Sequence, residues 1–455
     1  MQPTSAATLD RQALDTAIEG GEIDTVILAF PDQQGRLLGK RLTGRHFRSH
    51  VAEHGVHACD YLLTVDLDME PLPGYAVANW DRGYGDLAVA PDWPTARRLP
   101  WLPGTALVLG DLHHADGRAV EVAPRQVLRR QVERAAARGL RLQVASELEG
   151  YLYRDTFAQA AAKGYRGLSR YGGYLEDYHI LQGTREEPIL RHIRQAMEAA
   201  GVPMEGTKGE WGRGQTELNL AYADATEMAD RHVLLKHAAK EIAEQHGGSI
   251  TFMAKPSATE AGSSCHIHAS CWDLAAERNL FWDDEPSLLF ERFLAGQVAL
   301  ARDLALFFAP TVNAYKRYQS RSWAPTAITW GHDNRTCGFR VVGRGASFRI
   351  ENRLPGADAN PYLAFAATIA AGLYGIEHEL ALPPPFDGNA YAASDAPRLP
   401  ATLQGAIEAL AGSAVARDLL GDGVVDHYLL TARHEAAAFE RAVTDWELAR
   451  YFEQI

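Results

Sequence analysis

Apolar and polar positions change rhythm along this chain, and the changes mark its elements. Up to about residue 119 the pattern is short and strand-like. Thr25–Phe30 (TVILAF) reads as a buried strand, PDQQGR as a turn, and Leu37–Leu42 as the partner strand. Leu62–Asp68 and Ala106–Leu109 predict further strands, and Pro71–Pro103, rich in Pro, Gly and Trp, predicts loops. A turn at His114–Gly117 leads to Ala123-Pro124, where proline near the first turn opens a helix through Ala137. Beyond it, strands are predicted at 141–152, 215–222, 250–254 and 265–271, alternating with helices at 186–200, 226–246 and 287–307. Tyr362–Ile376 (YLAFAATIAAGLYGI) predicts a buried core helix, and Thr444 with Glu447 has capping-box spacing for a last helix. The order divides the chain into a β-rich region, 1–118, and a mixed region, 119–455.

Four segments of the second region share one format. Each places acids or histidines on one face of a strand while apolar residues take the other. SELEG at 146–150 supplies Glu147 and Glu149, and QTELNL at 215–220 supplies Glu217. CHIHAS at 265–270 supplies His266 and His268, and Arg349–Arg353 sets Glu351 between two arginines. The Gly-rich run Gly206–Gly214 (GTKGEWGRG) adds Glu210 on a bent loop. Five carboxylates and two imidazoles converging on one cavity repel each other unless cations sit among them. Hard oxygen ligands with an occasional histidine favour Mg²⁺, with Mn²⁺ as the alternative, over zinc.

Composition narrows this picture. The chain has 455 residues, enough for two domains, and its net charge of −13 argues against general nucleic-acid binding. The N-terminus lacks the basic start and apolar core of a signal peptide, and no run reaches the ~18 apolar residues of a membrane span. Four scattered cysteines (Cys59, Cys265, Cys271, Cys337) without CxxC spacing suit a reducing cytoplasm. No Walker-type loop, dinucleotide fingerprint or serine elbow occurs. Any phosphate is therefore left to metals and to the seven arginines between Arg317 and Arg353, since guanidinium neutralises a transferring phosphoryl group.

The segments SELE, EWGRGQTE, FMAKP, GSSCHIHAS, NAYKR, NRTCGFR and RIENRLPGADANPY, in this order, resemble the glutamine synthetase family over most of residues 20–455. The resemblance implies an α+β fold: an N-terminal β-grasp domain and a catalytic domain of antiparallel strands backed by helices. It implies a homo-oligomer, typically a dodecamer of two stacked hexamers with active sites between subunits. It also implies a two-step reaction in which ATP phosphorylates the γ-carboxylate of glutamate and an amine attacks the γ-glutamyl phosphate.

By matching position, Glu149, Glu210 and Glu217 look like ligands of one metal, and Glu147, His266 and Glu351 like ligands of the other. His268, Ser270 and Arg349 sit where the family contacts ATP, with Arg340 near the phosphates. Gly262, Arg317 and Arg353 sit where it holds glutamate, and Arg335 where it meets the reacting carboxylate and phosphate. The chain departs from the ammonia-using members at the amine end. Trp323 stands where they carry a flap glutamate, and their D-G-S-S segment has no counterpart in Leu62–Gly85. The pattern is similar to the family's γ-glutamylamide ligases, and Trp323 becomes a candidate wall of an amine slot. Asp66, Asp68 and Glu70 are alternative bases for the amine proton. Tyr391 lies near the family's adenylylation tyrosine in a different setting, so that modification is not expected.

The leading expectation is an ATP-dependent glutamate–amine ligase using a polyamine such as putrescine or spermidine, with ethanolamine close behind. An ammonia-using glutamine synthetase and a catalytically silent structural or regulatory family member are the alternatives. The filled ligand positions argue against the last.

Overall fold

The structure is a computed structural model and describes residues 8–455. A six-stranded sheet forms first, from β1 (Thr25–Pro31), β2 (Leu37–Thr43), β3 (Val56–Cys59), β4 (Asp86–Pro91), β5 (Arg97–Arg98) and β6 (Thr105–His113). Its order is β2-β1-β6-β4-β3, with β5 also on β6. The hairpin β1–β2 is antiparallel, whereas β1 and β6 run parallel, the arrangement of a β-grasp. Val26, Leu28 and Phe30 alternate onto one face, where they pack with Leu14 and Ala17 of helix Arg11–Glu19.

The second sheet is larger. Its strands are β7 (Leu140–Tyr153), β8 (Met204–Gly209), β9 (Gln215–Leu220), β10 (Ala223–Asp224), β11 (Ser249–Thr251), β12 (Cys265–Asp273), β15 (Trp330–His332), β16 (Phe339–Val342) and β17 (Arg349–Asn352); β13 (Trp282–Asp283) and β14 (Glu285–Pro286) form a separate ribbon. The order is β15-β16-β17-β12-β7-β9-β8, with β10 and β11 also on β7. Every pair is antiparallel except β15–β16. The back face, with Leu142, Val144 and Leu148 of β7 and Ile267 of β12, packs on helices Pro124–Ala136, Ala225–Gln245 and Pro361–Glu377. Helix Pro361–Glu377 is buried along almost its whole length, as its uniformly apolar sequence predicts. It meets helix Leu288–Leu300 so closely that a Cβ on Gly375 would lie 2.0 Å from the Arg292 carbonyl oxygen.

Four expectations need correction. Leu62–Asp68 is no strand: Asp60–Leu63 is a 3₁₀ turn, and the Asp66 carboxylate accepts the Asp68 and Glu70 N–H groups. An aspartate that bonds its own following backbone favours a turn over a ladder. The stretch Pro71–Pro103 is not all loop, because it contains β4 and β5. The helix expected at 287–307 stops at Leu300 and resumes only over Ala305–Phe308, and β11 ends at Thr251 rather than 254. Among the described residues no helix is long and apolar enough to cross a membrane. The capping box at Thr444 and Glu447 forms and opens helix Asp445–Tyr451.

Candidate active site

The period-two alternation of β7, β9, β12 and β17 turns their polar residues to the face opposite the helices, and the strand register then sets who meets whom. Glu149 lies opposite Glu217, which lies opposite Lys208 of β8. Glu147 lies opposite His266, and Glu351 lies opposite both His268 and Arg340. All of these except His268 line one cleft of about 390 Å³, although some are more than a hundred positions apart.

One side of the cleft holds Glu149, Glu210 and Glu217, whose oxygens lie within 4.8 Å of one another. Glu149 accepts the Ser264 N–H at 2.8 Å and the Gln215 side-chain amide at 3.1 Å. Burial and the neighbouring Glu210 charge push its carboxyl up to about 8. Burial, then Glu147 and Glu210, push Glu217 up to about 9. Three acids that cannot all ionise without a cation fit a divalent-metal site, and their all-oxygen donor set suits Mg²⁺ or Mn²⁺.

Two residues back along the same face of β7, Glu147 joins two histidines. His268 Nδ1 accepts the Arg349 Nε–H at 3.0 Å, so its Nε2–H donates to Glu147 at 2.9 Å. His266 Nδ1 lies 3.2 Å from Glu147 and 3.5 Å from Glu351. Burial alone would raise the Glu147 carboxyl, but hydrogen bonds from His266 and His268 outweigh it and hold it well below the usual range. Glu351, only 1% exposed, is also opposed by burial, yet the charge of Arg353, then those of His266 and His268, hold it down at about 2. Arg353 Nη1 donates to Glu351 at 2.5 Å and Arg340 Nη1 donates at 2.9 Å. The group whose ligand atoms lie mutually within 4.8 Å is Glu147, His268 and Glu351. His268, expected on the nucleotide side, therefore closes this triad, with His266 beside it.

The other expected residues divide. Gly262, Arg317, Arg335, Arg340, Arg353 and Trp323 line the cleft, whereas Ser270 and Arg349 do not. Ser270 accepts the Trp272 indole N–H at 2.9 Å, and Arg349 braces His268. Arg317, 2% exposed, donates through both terminal nitrogens to the carbonyls of Leu354 and Arg353 at 2.9 Å. A Cβ on Gly262 would come within 2.4 Å of the Arg317 Cγ, so only glycine lets that side chain pass. Arg335 is half exposed, 4.0 Å from Asp333. Trp323 is 47% exposed at φ 65°, an uncommon conformation for so bulky a residue, and its ring sits 5.7 Å from that of Trp211. Tyr391 donates its hydroxyl to the Ala324 carbonyl at 3.0 Å and so pins the loop that carries Trp323. Asp66, Asp68 and Glu70 do not line the cleft of their own chain.

Sequence reasoning missed Asp177, Tyr178, Lys208 and Trp211, which also line it. Lys208 was legible in principle, being two residues before Glu210 and in phase with it on an extended segment. Asp177 and Tyr178 carry no such signal: they lie on a loop held by main-chain bonds to Glu210 and Gly209 at 3.0 and 3.2 Å.

Raised acids of this kind would link the binding of a metal to proton release. Without metal, folded Glu149 and Glu217 keep protons that ordinary carboxyls near 4.5 have lost in the unfolded chain. Folded protein then binds more protons than unfolded, so the stability of metal-free protein falls as pH rises from about 4.5 to about 9. Adding Mn²⁺ at pH 7 is expected to release between about one and two protons per chain, read by calorimetry in buffers of different ionisation enthalpy. Binding without proton release would contradict the raised carboxyls.

Residues 121–451 match the family described as glutamine synthetase, catalytic domain. The chain is 50% identical to the γ-glutamylethanolamide synthetase GlnA4 of Streptomyces coelicolor, covering 98% of this chain and 96% of the relative. It is 38% identical to the glutamate–isopropylamine ligase of a Pseudomonas species, over 96% and 97% of the two chains. Among solved structures, GmaS without ligand superposes with a TM-score of 0.84 at 30% identity, covering 97% of this chain and 99% of the other. A GmaS/ADP complex gives 0.83 at 30% identity, over 96% and 99%. The chain belongs to the glutamine synthetase family, and within it to the branch of γ-glutamylamide ligases.

Proposed function

We propose that this protein is an ATP-dependent ligase that joins the γ-carboxylate of glutamate to a small organic amine through a γ-glutamyl phosphate. The observation that carries the reading is the pair of acidic clusters side by side on one sheet face, in one cleft lined by Arg335, Arg340 and Arg353. Mg²⁺ or Mn²⁺, held by Glu149, Glu210 and Glu217 and by Glu147, Glu351 and the histidines, would neutralise the polyphosphate as charge shifts during transfer.

The chain's own groups then divide the work. In the first step a γ-carboxylate oxygen of glutamate attacks the γ-phosphorus of ATP, and the bond to ADP breaks. Arg335 and Arg340 offset the negative charge on the moving phosphoryl group. Glu351 holds Arg340 and Arg353 in place, while Gly262 and Arg317 shape the glutamate end. In the second step the amine nitrogen attacks the acyl carbon, inorganic phosphate leaves, and the nitrogen gives up a proton to a base. Asp66, Asp68 or Glu70 of a neighbouring copy in a ring assembly, the expected dodecamer, would supply that base. A division of the chain near residue 118 belongs to the same reading.

Both a polyamine and a short amino alcohol are open on sequence. The relatives at 50% and 38% identity are named for ethanolamide and isopropylamine, which favours the short amine. Trp323 and Trp211 support an organic amine over ammonium, since an indole offers apolar surface and no proton acceptor. The test is phosphate release and amide mass from ATP, glutamate and Mg²⁺, with ethanolamine, isopropylamine, putrescine or ammonium supplied alone. Ethanolamine or isopropylamine is expected to exceed ammonium by at least about tenfold in kcat/KM. Preference for ammonium would return the protein to the ammonia-using alternative, and silence throughout would favour the non-catalytic one.

A further inference from the structure

Lys208 takes no part in the chemistry above, yet it occupies a telling place. It is the front-facing residue of edge strand β8, opposite Glu217, and it lines the cleft. Its ammonium contacts the Glu210 carboxylate and lies 3.8 Å from the Asp177 carboxylate. It also stands 4.4 Å from the centroid of the Tyr178 ring. Two acids and an aromatic face make a complete receptor for an organic ammonium. Here the protein's own lysine fills it. A lysine ammonium carries its positive charge at neutral pH.

Beside this filled receptor stand Trp211, 45% exposed, and Trp323, with ring planes tilted by 59°. The cleft wall thus offers an amine's tail apolar surface on one side and a fixed positive charge on the other. An uncharged alkyl or hydroxyalkyl tail fits such a wall. A second ammonium finds its acids taken and a like charge in their place.

We propose that Lys208 is a specificity-determining residue that selects the amine by the charge of its tail, admitting neutral-tailed primary amines and rejecting diamines and polyamines. This rests on the ligase reading above and deepens it. Two like charges a few ångströms apart at a protein's edge weaken binding by roughly tenfold to a hundredfold.

The experiment compares putrescine with 4-aminobutan-1-ol, which has the same chain length and a hydroxyl in place of the second ammonium. The quantity read is the ratio of their kcat/KM values. Both reactions share ATP, glutamate and metal, so any weakening of the Glu210 site in a variant cancels. Wild-type protein is expected to give a ratio of about 0.1 or less, and Lys208→Met to raise it at least about tenfold. Lys208→Arg, which keeps the charge, is expected to keep the ratio low. The wild-type ratio should also climb as KCl rises from about 0.05 to about 0.5 M, because salt screens the repulsion. This arm needs no variant. A wild-type ratio near one or above, a ratio unmoved in Lys208→Met, or no rise with salt overturns the inference, even while amide synthesis proceeds. Absence of amide with every amine overturns the ligase reading itself and takes the inference with it.

Discussion

Glu217→Gln is expected to lower amide synthesis by about 10³-fold, the scale of losing a group that stabilises charge in the transition state. The substitution keeps shape and hydrogen bonding, and Asn219 can still meet the side chain at about its present 2.8 Å. What disappears is one of three carboxylates whose oxygens lie within 4.8 Å. Burial and its acidic neighbours already push Glu217 up to about 9, so in metal-free protein the change removes little charge and is expected to leave folding intact. The two effects separate cleanly. Thermal unfolding in EDTA should match wild type, while the stabilisation gained on adding Mn²⁺ should shrink and turnover should collapse. Full turnover with normal Mn²⁺ stabilisation would remove Glu217 from the proposed metal site.

Arg353→Met is expected to destabilise the folded protein by about 3 kcal/mol at pH 7, the lower end of what breaking a buried ion pair costs. Glu351 is 1% exposed and would lose the closer of its two guanidinium partners, keeping Arg340 at 2.9 Å. The sign of the pH dependence follows. In wild type, burial would raise the Glu351 carboxyl, but chiefly the charge of Arg353 holds it at about 2, so its contribution to stability is present above about 4.5 and fades as pH falls toward 2. Without Arg353 that contribution is lost at neutral pH. The difference between the variant and wild type should therefore be largest at pH 7 and narrow on acidification below about 4.5, where the carboxyl protonates. Urea denaturation across that range measures it. A gap independent of pH would assign the loss to packing around the Arg353 stem instead.

Much of the candidate site was legible because strand alternation is a local property. Glu147, Glu149, Glu217, His266, His268 and Glu351 could be placed on faces from two-residue spacing alone, and all of them face one side of the sheet. Long apolar patterns were similarly readable, as helix Pro361–Glu377 demonstrates. Failures fell where local chemistry competes with pattern. Asp66 turned an apparent strand into a turn, and β4 lay hidden among prolines and glycines. The partition of roles also blurred: Arg317 spends both terminal nitrogens on main-chain carbonyls, which no motif reveals.

The sequence by itself determined which residue types could carry the chemistry, which side of each strand they take, and that acids without counter-charges demand cations. Those follow from side-chain identity and from a backbone whose side chains alternate every residue. Only the tertiary structure decided that Glu149 faces Glu217, that His268 closes the triad with Glu147 and Glu351, and that Asp177, Tyr178 and Lys208 meet beside the tryptophans. Register is chosen by burial of the whole back face against the helices, and a one-residue slip in any strand would turn its acids into the core. That choice sums over contacts far apart in the chain, so no local window of sequence contains it.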